Sequence, residues 1–245
     1  MRLDRLNRPS RWPGILITLS VLTSVLLGAL WYFTPRVAAR AVRIDRIISW
    51  FTNPGDHPEW LVNGGTQCPG APMLLPTTGF IGVDYGDSFR PGHLHSGYDI
   101  FSPDGADNVT PIYAAYDGYL TRESTWRSAV ILRHPDFPVI VPGEQIWTYY
   151  THMASADGTQ SYISPDFPPG TTEVFVPAGT LLGYQGTWSG NPANPTGLHL
   201  HFSIVKSNPD GSYTNETEIA NTYDPAPFLG VARNDLGILT CAETP

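Results

Sequence analysis

Charge is scarce in this 245-residue chain: Asp, Glu, Lys and Arg make up 15 %, well under the quarter usual for a soluble domain. Basic residues are rarest in the long C-terminal part. After residue 46 only six Lys or Arg remain against twenty Asp or Glu, which excludes a phosphate-binding surface there and with it a nucleic-acid partner. Cysteine is limited to Cys68 and Cys241, too few for a thiolate zinc site, so any metal must be held by His and carboxylate. Long stretches free of helix breakers are also lacking, since Gly and Pro number 24 each. What the chain does have is 41 % hydrophobic residues, too many for disorder, and 12 % aromatics led by 12 Tyr and 7 Trp, which suits strands joined by turns.

Residues 1–46 carry eight Arg and two Asp, a net +6, whereas the remainder is −14. A basic leader is therefore attached to an acidic body. After a short tail, 1–13, the stretch 14–33 (GILITLSVLTSVLLGALWYF) holds no charge for 20 residues. As a helix it covers about 30 Å, the thickness of a bilayer core, and Trp31 and Tyr32 end it with interfacial rings. The expectation is a single-pass transmembrane signal anchor with the body outside the cytoplasm. Small residues at Val37-Ala38-Ala39 allow the alternative, a secreted form cleaved near Ala39, but the apolar core is longer than cleavable signals usually show. Four Arg precede the stretch and four follow it, so charge does not orient it.

Residues 34–51 have a helical period. Val37, Ala41, Ile44 and Ile48 share a stripe with Ile47 and Phe51 beside it, and Arg36, Arg40 and Arg43 lie elsewhere on the wheel. Such a basic amphipathic helix lies on lipid headgroups or continues the anchor as a stalk. Residues 52–72, with four Pro and four Gly, read as a linker or an irregular cap. From 73 to 245 short apolar runs alternate with turn signals: Gly79–Ile81, Ile112–Ala115, Gly118–Leu120, Ala129–Leu132, Ile146–Tyr150, Val174–Val176, Thr180–Gly183 and Leu198–Val205. This predicts an all-β domain of mostly antiparallel sheet. Residues 154–169 and 186–195 read as long loops. A disulfide between Cys68 and Cys241 would staple the two ends of this body, worth about 4–5 kcal/mol in the chain-entropy model, and would require an oxidising compartment. The alternative is two separate buried thiols.

Three histidine motifs stand out. Leu198 to Ile204 alternates strictly, so His199, His201 and Ser203 share one strand face and the leucines, Phe202 and Ile204 the other. Neighbours about 7 Å apart on a strand do not both reach one ion, so one histidine can ligate while the other stands at the open position. His95-Ser96-Gly97-Tyr98-Asp99 offers an imidazole and a carboxylate, brought together if Gly97 lets the chain bend. His152 follows an alternating strand at Tyr150-Thr151 and by itself is a candidate core histidine. His57 and His134 have no supporting context, and His93, two residues before His95, either lines the groove or, the favoured expectation, faces solvent.

Taken in order, these segments resemble the lysostaphin-type zinc metallopeptidases, the peptidoglycan endopeptidase family. The resemblance spans roughly Met73 to Leu229 and rests on Leu75-Pro76, Gly79, Tyr85-Gly86, His95-Ser96-Gly97-Tyr98-Asp99-Ile100, Pro111 to Ala114, Asp117-Gly118, Tyr150-Thr151-His152-Met153, Pro177-Ala178-Gly179, Leu182-Gly183 and Thr196 to Phe202. It implies an antiparallel β fold with a groove, one Zn²⁺ held by His95, Asp99 and His201, and His152 and His199 as catalytic histidines. Three protein ligands leave a position for water, the pattern of a catalytic zinc site. The implied partner is a peptide stem or cross-bridge of peptidoglycan. The family's tyrosine before the first ligand has only Phe89 and Tyr85 as nearby equivalents, which leaves that role without a clear owner. Two other readings remain: a non-catalytic wall-binding or regulatory module on the same fold, and a β-barrel oxidase. The latter is disfavoured because no further Glu or His follows within 202–206.

Overall fold

Short apolar runs broken by Gly and Pro are too brief for helices, and their backbone polar groups must be paired across strands. The computed structural model describes residue 23 and residues 40–87, 92–138 and 141–242. The chain divides into two compact units, residues 1–45 and 46–245. The tail 1–13, the apolar stretch 14–33 apart from Thr23, residues 34–39, the cleavage position near Ala39 and Phe89 lie outside the described residues. Among the described residues no helix is long and apolar enough to cross a membrane.

Residues 40–52 are helical, overlapping the described part of the segment 34–51 expected to form an amphipathic helix and running one residue beyond it. In the second unit Ile48 of the stripe and Phe51 beside it stay exposed, and Trp50, which is off the stripe, is the buried anchor. The Trp50 Nε1–H donates to the Ser102 carbonyl at 2.9 Å and its ring meets Phe80. Arg46 donates to the carbonyls of Leu236 and Gly237.

Among the described residues thirteen strands follow: β1 (Leu61–Val62), β2 (Gly79–Val83), β3 (Tyr98–Phe101), β4 (Pro111–Tyr113), β5 (Gly118–Thr121), β6 (Val130–Phe137), β7 (Glu144–Thr151), β8 (Val174–Val176), β9 (Leu181–Tyr184), β10 (His199–Lys206), β11 (Thr222–Tyr223), β12 (Val231–Arg233) and β13 (Leu239–Cys241). An eleven-stranded sheet runs β12-β13-β2-β3-β10-β7-β6-β5-β8, with β1 on β2 and β11 on β10; β4 and β9 pair separately. Every pairing is antiparallel, as the alternating runs implied.

The centre of the sheet is β3-β10-β7, and alternation along β10 decides what each face does. Leu200, Phe202 and Ile204 enter the main core with Tyr98, Ile100, Leu132 and Tyr150. His199, His201 and Ser203 occupy the opposite face. There an aromatic cluster of Trp50, Trp60, Phe80 and Phe101 lies towards the start of β10, and Ile131, Trp147 and Val205 lie towards its end. The histidines sit in a polar strip between two apolar clusters.

Residues 52–72 are a cap on this body. Leu61 and Val62 pair with β2, Trp60 is buried, and Cys68 is bonded to Cys241 across 173 positions of sequence. Residues 154–169 form no strand, yet Tyr162, Ile163 and Phe167 enter the main core and pin the loop.

Candidate active site

Directly opposed residues of an antiparallel pair project to the same side. The register sets His201 opposite Asp99 of β3 on one flank and opposite Thr151 of β7 on the other. A carboxylate and an imidazole are thereby brought together from positions 102 apart in sequence. His152 is the first residue beyond β7 and has φ +76°, a left-handed backbone that costs a side-chain-bearing residue about 1–2 kcal/mol. Strain of this kind persists where the surroundings impose it, and here the exit of β7 turns the ring towards His199, 4.5 Å away between ring centroids.

His95 precedes β3 and is fastened to the loop after β2. Its N–H donates to the Asp87 carbonyl at 2.6 Å and its carbonyl accepts from the Gly86 N–H at 2.8 Å. Gly97 serves this approach differently from the expected bend. It is not in the left-handed region; a Cβ there would lie 2.2 Å from the Phe202 carbonyl oxygen and 2.6 Å from Ser203 Oγ. The glycine is needed because β10 passes too close for any side chain.

The ligand atoms converge. His95 Nε2 is 3.0 Å from Asp99 Oδ1 and 3.0 Å from His201 Nδ1, and His201 Nδ1 is 2.9 Å from Asp99 Oδ1. His199 Nε2 stands 3.4 Å from the same carboxylate oxygen. All four residues are buried. Each histidine is tied by one ring nitrogen. His95 Nδ1 donates to the Asp84 carbonyl at 3.1 Å, His152 Nδ1 to the Trp188 carbonyl at 2.6 Å and His199 Nδ1 to the Gly197 carbonyl at 2.7 Å, while His201 Nε2 lies 2.8 Å from Ser203 Oγ. A carbonyl only accepts, so in the neutral rings of His95, His152 and His199 the lone pair is on Nε2; at His201 the hydroxyl can donate or accept, and it is Nδ1 that faces Asp99. That outer-bond pattern is what orients metal-ligating imidazoles.

Electrostatics favour positive charge at the centre. Burial alone would raise the Asp99 carboxyl, but His199 and His95 outweigh it and hold it well below the usual range. Burial lowers His201, yet hydrogen bonding to Asp99 and Glu216 prevails and pushes it up to about 10. That surplus of carboxylate around His201 calls for a cation, which a proton or a divalent metal supplies. Two imidazole nitrogens and one carboxylate oxygen are a donor set that zinc accepts, so the residues fit the ion. His152 is pushed down to about 3 by burial, then by His199 and His201, and is therefore neutral near pH 7.

The cluster lies at the floor of a cleft of about 650 Å³. His93 lines it and is half-buried, the first of the two placements the sequence left open: the chain entering β3 follows the cleft rim. Tyr85 does not line it; its hydroxyl is directed to the carbonyls of Ile219 and Thr222, at 3.1 and 3.2 Å. Among the described lining residues there is no tyrosine. His57 stacks on Trp60 and His134 is buried between Asp117 and Thr148, and neither lines the cleft. Sequence reading missed Glu216, whose Oε2 is 3.7 Å from His201 Nε2, and the Trp188 and Asp84 carbonyls. Glu216 sits in a polar, aperiodic stretch, and backbone acceptors leave no side-chain signal.

No protein-family model and no curated protein matches the chain. Among solved structures, the chain is similar to the catalytic domain of the prophage-encoded M23 protein EnpA from Enterococcus faecalis, at 23 % identity and a TM-score of 0.35, over 61 % of this chain and 92 % of that one. It is also similar to a putative glycyl-glycine endopeptidase LytM from Ruminococcus gnavus, at 22 % identity and a TM-score of 0.37, over 55 % of this chain and 45 % of that one. A third likeness is to a chain of the SpoIIQ–SpoIIIAH pore-forming complex, at 22 % identity and a TM-score of 0.31, over 54 % and 66 % of the two chains. At such TM-scores these likenesses carry no weight for function; the arrangement of the five side chains does.

Proposed function

We propose that this chain is a lysostaphin-type zinc metalloendopeptidase that hydrolyses peptide cross-links of cell-wall peptidoglycan. The observation that carries the reading is the meeting of His95 Nε2, Asp99 Oδ1 and His201 Nδ1 within about 3 Å of one another, with His199 and His152 alongside in an open cleft. His95, Asp99 and His201 hold one Zn²⁺. When bound, zinc supplies Lewis-acid polarisation of the scissile carbonyl and acidification of water.

The chain's own residues supply the remainder. His199 and His152 each keep Nδ1–H on a backbone carbonyl, so Nε2 is the atom that takes a proton from attacking water and returns it to the leaving amine. Once protonated, the same imidazoles donate to the oxyanion that develops on the substrate carbonyl. The polar strip between two apolar clusters positions an extended peptide across the central strands. The stretch 14–33 anchors the protein in the cell membrane with the body outside the cytoplasm, a compartment in which the Cys68–Cys241 bond persists.

The test is direct. The purified chain carries close to one zinc and cuts a cross-linked peptidoglycan digest, and chelation stops the cutting. His199→Ala lowers kcat at least about 100-fold while zinc content stays at one. Asp99→Ala loses zinc. Full hydrolysis by a folded His199→Ala variant overturns the assignment, whereas stoichiometric zinc without hydrolysis in the unaltered chain favours a non-catalytic wall-binding module.

A further inference from the structure

The loop joining β5 to β6 and the long loop 154–169 enclose a second cavity of about 600 Å³, which shares no lining residue with the histidine cleft. Its chemistry runs against the rest of the body. Beyond residue 46 the chain has six Lys and Arg against twenty acids, and this cavity takes two of those cations, Arg122 and Arg127. Other cations of the body have partners suited to them: Arg133 is ion-paired with Glu173, Arg233 with Asp84, and Lys206 lies over the Tyr223 ring. Arg122 and Arg127 have no carboxylate partner among the described residues. Arg122 is only 5 % exposed. Its Nε donates to the Trp126 carbonyl at 3.2 Å, Nη1 to the Phe167 carbonyl at 2.7 Å and Nη2 to Ser161 Oγ at 3.1 Å. These bonds staple the two loops together and use three of the five guanidinium N–H groups, yet every acceptor is neutral. Arg127 Nη1 reaches the Gly158 carbonyl at 3.2 Å, again a neutral acceptor. The acids that border these positions are engaged elsewhere: Glu123 accepts from Tyr213, and Asp157 from Ser155 and Thr159. A buried guanidinium bonded only to neutral groups keeps its charge uncompensated, and an anion in the cavity relieves that cost.

The remaining lining groups define the anion. Trp126 packs against Tyr149 and Tyr213 but is only half-buried, which leaves part of its ring on the cavity. Ser124 and Thr125 are exposed beside it, and their hydroxyls make no hydrogen bond among the described residues. Guanidinium forks match a planar carboxylate, free hydroxyls match ring hydroxyls, and an indole matches the apolar C–H face of a sugar. We infer that Arg122, Arg127 and Trp126 form a binding site for a sugar acid, a hexose ring that carries a carboxylate. The carboxylate meets the guanidinium groups, the ring lies on Trp126, and its hydroxyls bond to Ser124 and Thr125. A neutral sugar leaves the charge unmet, and a carboxylate without a ring leaves Trp126 uncovered. The site is outside the catalytic cleft and does not depend on the peptidase reading.

The experiment titrates the full-length zinc-loaded chain in detergent with glucuronate, glucose and acetate, followed by calorimetry. Glucuronate binds about tenfold tighter than either of the others. Arg127→Gln, at an exposed position, lowers glucuronate affinity about tenfold and leaves glucose unchanged. Trp126→Leu weakens glucuronate and glucose alike, about fivefold. Arg122→Lys keeps the charge but not the planar fork and also weakens glucuronate; Arg127→Gln decides the matter should that variant not fold. Equal affinity for the three ligands, no binding of glucuronate, or an unaltered affinity in Arg127→Gln each overturns the site. Loss of binding in Asp99→Ala with Arg127→Gln unaffected overturns it too, because the carboxylate then sits at the histidine centre.

Discussion

His201 is held on both sides of its ring. Nδ1 faces Asp99 at 2.9 Å; Nε2 is hydrogen-bonded with Ser203 Oγ at 2.8 Å, with Glu216 Oε2 at 3.7 Å behind it. A carboxylate beyond a ligating imidazole raises its basicity and fixes its orientation, and loss of such partners typically weakens metal binding 10–100-fold. Glu216→Gln keeps the shape and removes the charge; zinc affinity, read by competition with a chromogenic chelator, falls about tenfold. Unchanged affinity would confine Glu216 to the cleft surface. A second titratable residue acts on stability. His134 is buried, donates from Nδ1 to the Asp117 carbonyl and accepts the Thr148 hydroxyl at Nε2, so it is neutral in the fold. Burial pushes it down to about 4, against roughly 6.5 in the unfolded chain. The unfolded state therefore takes up the proton first as pH falls, and stability drops with it. Between pH 7 and pH 5 this group alone removes about 2 kcal/mol. Denaturant unfolding at the two pH values measures it, and His134→Gln lacks that share of the slope.

At the scale of elements, the centre depends on how closely β3 and β10 approach. Gly97→Ala sets a Cβ 2.2 Å from the Phe202 carbonyl, so β3 must shift and carry Asp99 away from His201. The expected cost is about 1–3 kcal/mol of stability by urea unfolding, together with a weaker zinc site. β10 was legible in the sequence because its two faces meet different surroundings, core on one side and histidine cleft on the other, which imposes strict alternation. The expected runs correspond likewise to β2, β4, β5, β6, β7, β8 and β9. β12 and β13 were not legible. Ala232 and Arg233 are exposed, and three-residue strands with one buried position show no period. Their existence depends on β13 pairing with β2, a contact between distant parts of the chain.

At the scale of the whole molecule, the ends of the body are joined. The Cys68–Cys241 bond ties the irregular cap to the last hairpin, where Cys241 pairs with Val231. That hairpin also presents Arg233, which is ion-paired to Asp84, the residue whose carbonyl holds His95. Replacing Cys68 and Cys241 together by Ser lowers unfolding free energy by about 2–5 kcal/mol in denaturant, and a reducing agent does the same to the parent chain. Equal unfolding midpoints with and without reductant would show that the bond adds nothing to the fold.

The sequence alone determined the class of fold and the alternation that separates His199 and His201 from the core residues of β10, which follow from composition and a periodicity of two, both local. The set of candidate ligands was legible only through the resemblance that the ordered motifs carry. Only the tertiary structure decided which nitrogen of His95, His152 and His199 is available, why Gly97 is glycine, and that Glu216 and the Trp188 carbonyl belong to the site. Those features are distances between groups far apart along the chain, and strand register, which no stretch of sequence carries by itself, sets them.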